Sequence, residues 1–281
     1  MAIRITILCE NSVGPSLSTI GEHGLAAFIE TEKGNYLFDT GQGFSILHNA
    51  QCLKKDLTSI KNIFLSHGHY DHTGGLQHVL QMKNNVIVHA HPHIFEKKYA
   101  RLKTNGREME KYIGMRHTLD YFENRGAHFS FNRCFTEVGE GMFLTGEIAK
   151  TTDFEKGDSR LLMNDNGALV TDPLLDDQSL VLKIKRGLVI MLGCAHSGLI
   201  NTIEFVLDRL KKEKLYALIG GTHLGFLKDD QLDKTIAHLK QLDFNKIGVS
   251  HCTGLQAAAK LFQEFKDKFF FANVGTSFVM D

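Results

Sequence analysis

Apolar and polar positions alternate with a period of two over residues 3–8, the pattern of a half-buried strand, and two further strands are read over 25–30 and 35–38. The last two flank Thr31-Glu32-Lys33-Gly34, which predicts a hairpin. The period then lengthens. Over residues 43–57 the apolar positions Phe44, Leu47, Leu53 and Leu57 make a helical stripe, a strand follows over 61–66, and Leu76, Val79 and Leu80 continue another helix. After a strand at 86–88 the character changes. Charged and aromatic residues at helical spacing, punctuated by Gly106, Gly114 and Gly126, predict an inserted helical cap at about 94–126. Strands at 129–131 and 142–145 come next, then a polar, acidic stretch over 153–177. A second hairpin (179–185 and 187–192) leads to a helix over 199–212 with Ile200, Ile203, Val206, Leu207 and Leu210 on one face. Strand 217–220, helix 230–242, strand 246–250, helix 255–266 and strands 269–274 and 277–280 complete the chain. Strands and helices thus recur twice in a similar order, as expected of one α/β domain over residues 1–281.

Composition narrows the function classes. The 281 residues carry 32 basic and 32 acidic side chains, and this balance, with no basic stretch, argues against a nucleic-acid partner. The first residues alternate too regularly for a signal peptide, and no apolar run reaches the length of a membrane span. Five scattered cysteines without a Cys-x-x-Cys pair do not suggest a disulfide framework. The expectation is a cytoplasmic protein that takes a small-molecule substrate, with no nucleic-acid or membrane partner; a homo-oligomer is left open.

The chemistry is concentrated at the end of the 61–66 strand, in Ser66-His67-Gly68-His69-Tyr70-Asp71-His72-Thr73-Gly74-Gly75. Three imidazoles and a carboxylate within six residues form a dense set of metal ligands. His67 and His69, two apart on extended chain, project to the same side and can chelate one ion. Asp71 and His72 fall where the chain turns and suit a second. Gly68, Gly74 and Gly75 permit the tight path. Other histidines carry weaker signals. His89 ends a strand and could be a ligand, whereas His91 and His93 flank a proline turn. His23 stands alone in its loop, where local hydrogen bonding is the simpler role. Lys98, Arg101, Arg107 and Arg116 of the inserted cap are available to an anionic substrate.

The histidine run resembles the signature of the metallo-β-lactamase superfamily. Phe38-Asp39-Thr40-Gly41, Gly193-Cys194-Ala195-His196-Ser197-Gly198 and Ser250-His251-Cys252-Thr253-Gly254 extend the likeness over most of the chain. The resemblance implies a four-layer αβ/βα sandwich, here with a helical insertion, and two divalent metal ions, zinc first with iron or manganese as alternatives. It implies that Asp39 orients the ligands from beneath. Cys194 stands where the superfamily usually has a bridging Asp, and is either a thiolate ligand or a packing residue. No counterpart of a further superfamily histidine occurs between residues 132 and 193, so His196 is expected to supply it. His67, His69 and His196 would then hold one ion, and Asp71, His72 and His251 the other, with or without Cys194. Asp71 and His196 are the expected catalytic residues, Asp71 in proton transfer. Thr253 and Gly254, at a helix start, and His223 and Arg116 are the expected substrate contacts.

The order of motifs is similar to a branch described as 7,8-dihydropterin-6-yl-methyl-4-(β-D-ribofuranosyl)aminobenzene 5′-phosphate synthases. That resemblance implies action on a phosphorylated or pyrophosphorylated, pterin-like molecule, by transfer or hydrolysis. A hydrolase of another ester or lactone is one alternative, and a non-catalytic di-iron electron carrier another.

Overall fold

The computed structural model describes residues 3–15, 18–104, 106–211, 213–227 and 229–280. Two seven-stranded mixed sheets form the body. The first runs, edge to edge, Ser277–Met280, Ile3–Cys9, Ala26–Thr31, Gly34–Phe38, Ile60–Phe64, Val86–Ala90 and Ala127–Phe131. The second runs Phe269–Phe271, Lys246–Ser250, Leu215–Gly221, Gly187–Leu192, Leu180–Ile184, Met142–Leu144 and Thr136–Gly139. Hairpin connections make one side of each sheet antiparallel. Strands Gly34–Phe38 to Ala127–Phe131 in the first sheet, and Gly187–Leu192 to Phe269–Phe271 in the second, are parallel.

Three apolar clusters explain the layering. Ile3, Ile5, Ile29 and Phe64 of the first sheet meet Leu182, Val189, Met191 and Ile219 of the second, forming the core between the sheets. Strand residues Phe28, Leu37, Ile63 and Val88 point the other way, onto Ile46 and Ala50 of helix Ile46–Cys52 and Leu76 and Val79 of helix Leu76–Met82. Leu188, Ile190, Leu218 and Ile247 likewise pack outward on helices Leu199–Arg209, Asp229–Leu239 and Leu255–Phe265. Period-two alternation on strands buried on both faces therefore yields helix, sheet, sheet, helix. None of the described helices is long and apolar enough to cross a membrane.

The inserted segment differs from the expected helical cap. Lys98–Thr104 and Arg107–Tyr112 form a β-hairpin, and only Leu119–Glu123 is α-helical in that stretch. The hairpin joins a second one, Leu161–Asp165 and Ala168–Thr171, in a separate four-stranded sheet. The acidic stretch 153–177 thus contains two strands that its composition did not announce. The physical reason is in the pairing. Asn105-Gly106 in the sequence is a two-residue hairpin signal, and Gly106 has a φ of +77°. Arg101 then lies opposite Glu110, Lys103 opposite Glu108, and Tyr99 opposite Tyr112 with their rings edge to face. Strand Arg107–Tyr112 is exposed on both faces, so no apolar stripe marked it as β.

Candidate metal centre and its cavity

The parallel strands of both sheets end on one edge, and five of them deliver chemistry there. Gly34–Phe38 leads to Asp39, Ile60–Phe64 to the histidine run, Gly187–Leu192 to Cys194 and His196, Leu215–Gly221 to His223, and Lys246–Ser250 to His251. Ligand sites lie outside the carboxyl ends of parallel strands because the connecting loops are free to vary there. Asp39, Ala195, His223 and His251 all have positive φ, between 50° and 56°, a strained conformation for non-glycine residues that concentrates at functional sites. Two glycines serve close approach. A Cβ on Gly68 would lie 2.2 Å from the Ile94 carbonyl, and one on Gly193 would lie 2.2 Å from Ser66 Oγ.

Side-chain nitrogens converge in two groups. In the first, His67 Nε2 lies 3.0 Å from His69 Nδ1 and 3.3 Å from His196 Nε2. In the second, His72 Nε2 lies 3.3 Å from His251 Nε2 and 3.2 Å from Cys194 Sγ, and Asp71 Oδ2 lies 3.2 Å from His251 Nε2. Hydrogen bonds behind the rings settle which nitrogen faces inward. Asp39 is fully buried and accepts from Ser66 N, Ser66 Oγ and His72 Nδ1, each at 2.7 Å. With its proton committed to Asp39, Ser66 Oγ accepts from His67 Nδ1 at 2.9 Å. One carboxylate therefore puts the Nε2 lone pairs of both His67 and His72 toward the site. His251 Nδ1 donates to Asn11 Oδ1 at 2.9 Å and its backbone N–H to Glu10 Oε1 at 2.7 Å, which turns its Nε2 lone pair inward too.

These lone pairs face one another with no proton between them, which is unfavourable without a cation. A tetrahedral ion with bonds of about 2.0–2.1 Å to nitrogen would set its ligands about 3.3 Å apart, close to the separations found. His69 Nε2 and His196 Nδ1 are buried without a hydrogen-bond partner, leaving both rings free to turn onto an ion. The residues present fit two divalent ions.

Electrostatics agrees with that fit. Burial, reinforced by the neighbouring imidazoles, pushes His67 and His196 well below the usual histidine value, and burial takes His69 down to about 3. All three are neutral at pH 7, the form a metal needs. Burial alone would raise the Asp71 carboxyl, but His23 at 3.1 Å, with His251 and His72 beside it, holds it well below its usual range. Burial would also lower His72, yet Asp39 outweighs it and raises that ring.

The expected residues fall into three sets. His67, His69, Asp71, His72, Cys194, His196 and His251 come together, and Asp39 lies beneath them as expected. Cys194 Sγ lies against the second group. His223 is adjacent, its ring centroid 4.4 Å from that of His196, with Nε2 3.1 Å from Asp158 Oδ2. Other residues lie elsewhere. The Thr253 hydroxyl is engaged by Thr222, and Thr253 and Gly254 border a separate cavity behind His251. Arg116 stands over the Tyr70 ring at 5.4 Å and does not line the cavity over the cluster. Lys98 is fully buried, paired with Asp172 at 2.8 Å and Asp176 at 2.9 Å, and so is not available to a substrate. His89 hydrogen-bonds Asn62 and stacks on Phe64, while His91 and His93 pair with Glu147 and Glu96. His23 does reach the site, 3.1 Å from Asp71 Oδ2.

Several participants carried no signal of their own. Glu10 and Asn11 follow the first strand as an ordinary polar pair. Asp176 accepts from Gly68 N at 2.8 Å and binds Lys98, tying the metal loop to the four-stranded sheet. That sheet roofs a cavity of about 310 Å³ whose floor is the ligand cluster. The roof and walls bring Arg101, Lys111 and Arg160 together with Leu102, Ile113 and Phe226.

Comparison with known proteins agrees with this fold. The family described as "Metallo-beta-lactamase superfamily" matches residues 20–171. The chain is 33% identical over 276 residues to the 7,8-dihydropterin-6-methyl-4-(beta-D-ribofuranosyl)-aminobenzene-5'-phosphate synthase of Methanocaldococcus jannaschii, covering 95% of this chain and 93% of the relative. An uncharacterized protein of the same organism is 30% identical, over 96% of this chain and 98% of its own. The crystal structure of a metal-dependent hydrolase of the β-lactamase superfamily superposes with a TM-score of 0.81 at 28% identity, covering 98% of each chain. With its sandwich, its histidine run and these relatives, the chain belongs to the metallo-β-lactamase superfamily.

Proposed function

We propose that this protein is a two-metal enzyme acting on a phosphorylated or pyrophosphorylated small molecule with a flat, pterin-like ring. The observation that carries the reading is the pairing of floor and roof. Two ligand groups lie beneath a cavity whose other walls combine three cations, Arg101, Lys111 and Arg160, with apolar side chains. Such a mixture suits an anionic group joined to a planar one. The Methanocaldococcus relative is named for making a dihydropterin-ribofuranosylaminobenzene phosphate, which supports this substrate class.

Two divalent ions held here would supply Lewis-acid chemistry, activating a nucleophile at neutral pH and offsetting charge on a phosphoryl or acyl oxygen. The chain's own residues do the rest. His67, His69 and His196 would hold one ion, and Asp71, His72, Cys194 and His251 the other. Asp39 holds two of these rings in one tautomer. Asp71, with His23 at 3.1 Å, is placed to pass a proton toward the half-exposed His23 ring. Arg101 and Lys111 lie on the hairpin above and would bind the anionic group, while Leu102 and Ile113 exclude water.

The test is a substrate panel on metal-loaded protein: a dihydropterin methyl pyrophosphate with and without a ribofuranosylaminobenzene phosphate acceptor, a generic phosphodiester, and a lactone. Pyrophosphate release from the pterin is the expected result, with acceptor dependence distinguishing transfer from hydrolysis. Turnover of the lactone alone would contradict the proposal.

A further inference from the structure

Cys252 and His223 are buried beside the two ligand groups but belong to neither. Cys252 Sγ accepts the His223 backbone N–H at 3.2 Å and lies 3.8 Å from the Cys194 carbonyl oxygen. The sulfurs of Cys194 and Cys252 and a ring nitrogen of His223 all fall within 4.8 Å of one another. The His223 ring is already oriented. Its Nε2 is held by Asp158 Oδ2 at 3.1 Å, and Asp158 is fixed by Arg160, whose Nε donates to Oδ1 at 2.9 Å. The other nitrogen, Nδ1, is buried and faces the Cys252 sulfur. A carboxylate that fixes one nitrogen of an imidazole and leaves the other beside a thiol sulfur is how proteins present histidine to an ion.

Packing does not account for this arrangement. An apolar side chain at position 223 would fill the same volume without burying an imidazole, whose desolvation is unfavourable. All three residues line the cavity over the cluster, so a bound ion would keep an open coordination position toward it.

We propose that Cys194, Cys252 and His223 form a third ligand set, a soft-metal position that adjoins the second group and shares Cys194 with it. Two thiolates and one imidazole select a thiophilic divalent ion such as zinc or cadmium over magnesium or calcium. Any protons carried by the three ligand atoms pass to solvent as the ion binds. The position does not depend on the identity of the substrate. It makes Cys194 a bridge between two kinds of coordination rather than the lone replacement of a carboxylate.

The test uses the full chain, stripped of metal under reducing conditions and titrated with Cd²⁺ or Co²⁺. Wild-type protein is expected to show sulfur-to-metal charge-transfer absorption, and Cys252→Ser to retain about half of it, one thiolate of two. Cobalt d–d bands from His67, His69 and His196 should persist in the variant and report a folded site. A ¹¹³Cd resonance in the thiolate-rich range provides a second readout that needs no substitution. An unchanged charge-transfer band in Cys252→Ser would overturn the proposal, as would its absence from wild type while the histidine-bound bands remain. Failure to bind any ion would overturn this inference and the two-metal reading together, whereas the first two results leave that reading standing.

Discussion

Asp39 has no exposure to solvent, and its two oxygens accept three hydrogen bonds that orient His67 and His72 in different ligand groups. Removing it should therefore weaken both ions at once. Asp39→Ala is expected to lower metal affinity by about 10- to 100-fold, measured by competition with a chromophoric chelator. Affinity equal to wild type would mean that the rings hold their tautomers without it. Some of the site could be read residue by residue. His67, His69, Asp71 and His72 are crowded into six positions, a density of ligand types that a metal loop needs and an ordinary polar loop does not. Asp39, Cys194, His196 and His251 needed the family pattern, because single residues after strands are common. Glu10, Asn11 and Asp158 were not readable. A lone polar residue in a loop gives no sign of a partner up to 241 positions away, as Glu10 is from His251.

At the scale of elements, the hairpin Lys98–Thr104 and Arg107–Tyr112 is where expectation and structure part. Its charges fit helical spacing, and with so little of it buried, hydrophobic periodicity could not choose between helix and strand. Cross-strand pairs and the turn at Gly106 decided for the hairpin, and Lys98 anchors it. Lys98 Nζ binds Asp172 and Asp176, all three buried. Lys98→Met should cost about 3–5 kcal/mol by leaving two buried carboxylates without their cation, seen as a lower Tm. Burial alone would raise the Asp176 carboxyl, but Lys98 and the Gly68 N–H hold it below its ordinary value. That stabilisation is complete above the unfolded value of about 3.9 and is lost as pH falls through the depressed folded one. The gap between wild type and Lys98→Met should accordingly narrow below about pH 4 in thermal melts. A gap that widens on acidification would contradict the ion-pair account. Further out on the hairpin, Lys111→Ala is expected to raise KM for an anionic substrate by about 10-fold with less effect on kcat, as for loss of one charged hydrogen bond. A loss confined to kcat would place Lys111 in the chemistry instead.

For the whole molecule, the order of strands and helices gave the α/β class, and the family resemblance implied the sandwich that the structure has. The apolar character of Ile3–Cys9 and the unbroken apolar run of Gly187–Leu192 reflect burial against helices on one face and the opposite sheet on the other. What order cannot convey is distance, and the function rests on distance: two sheets must bring their strand ends within about 3 Å of each other's side chains, as His196 and His67 are at 3.3 Å. Metal should then couple the two halves. Chelation is expected to lower Tm and readdition of zinc to restore it, because ions bind only the assembled edge. Everything proposed for the cavity depends on this edge holding two ions in separate ligand groups. Metal analysis of protein purified without added metal, comparing wild type with His69→Ala and His251→Ala, decides whether it does. Wild type should carry about two tightly held divalent ions at these positions and each variant about one, with the fold retained by circular dichroism. Full metal content in both variants, or no stoichiometric metal in wild type after zinc reconstitution, would contradict the two-ion edge.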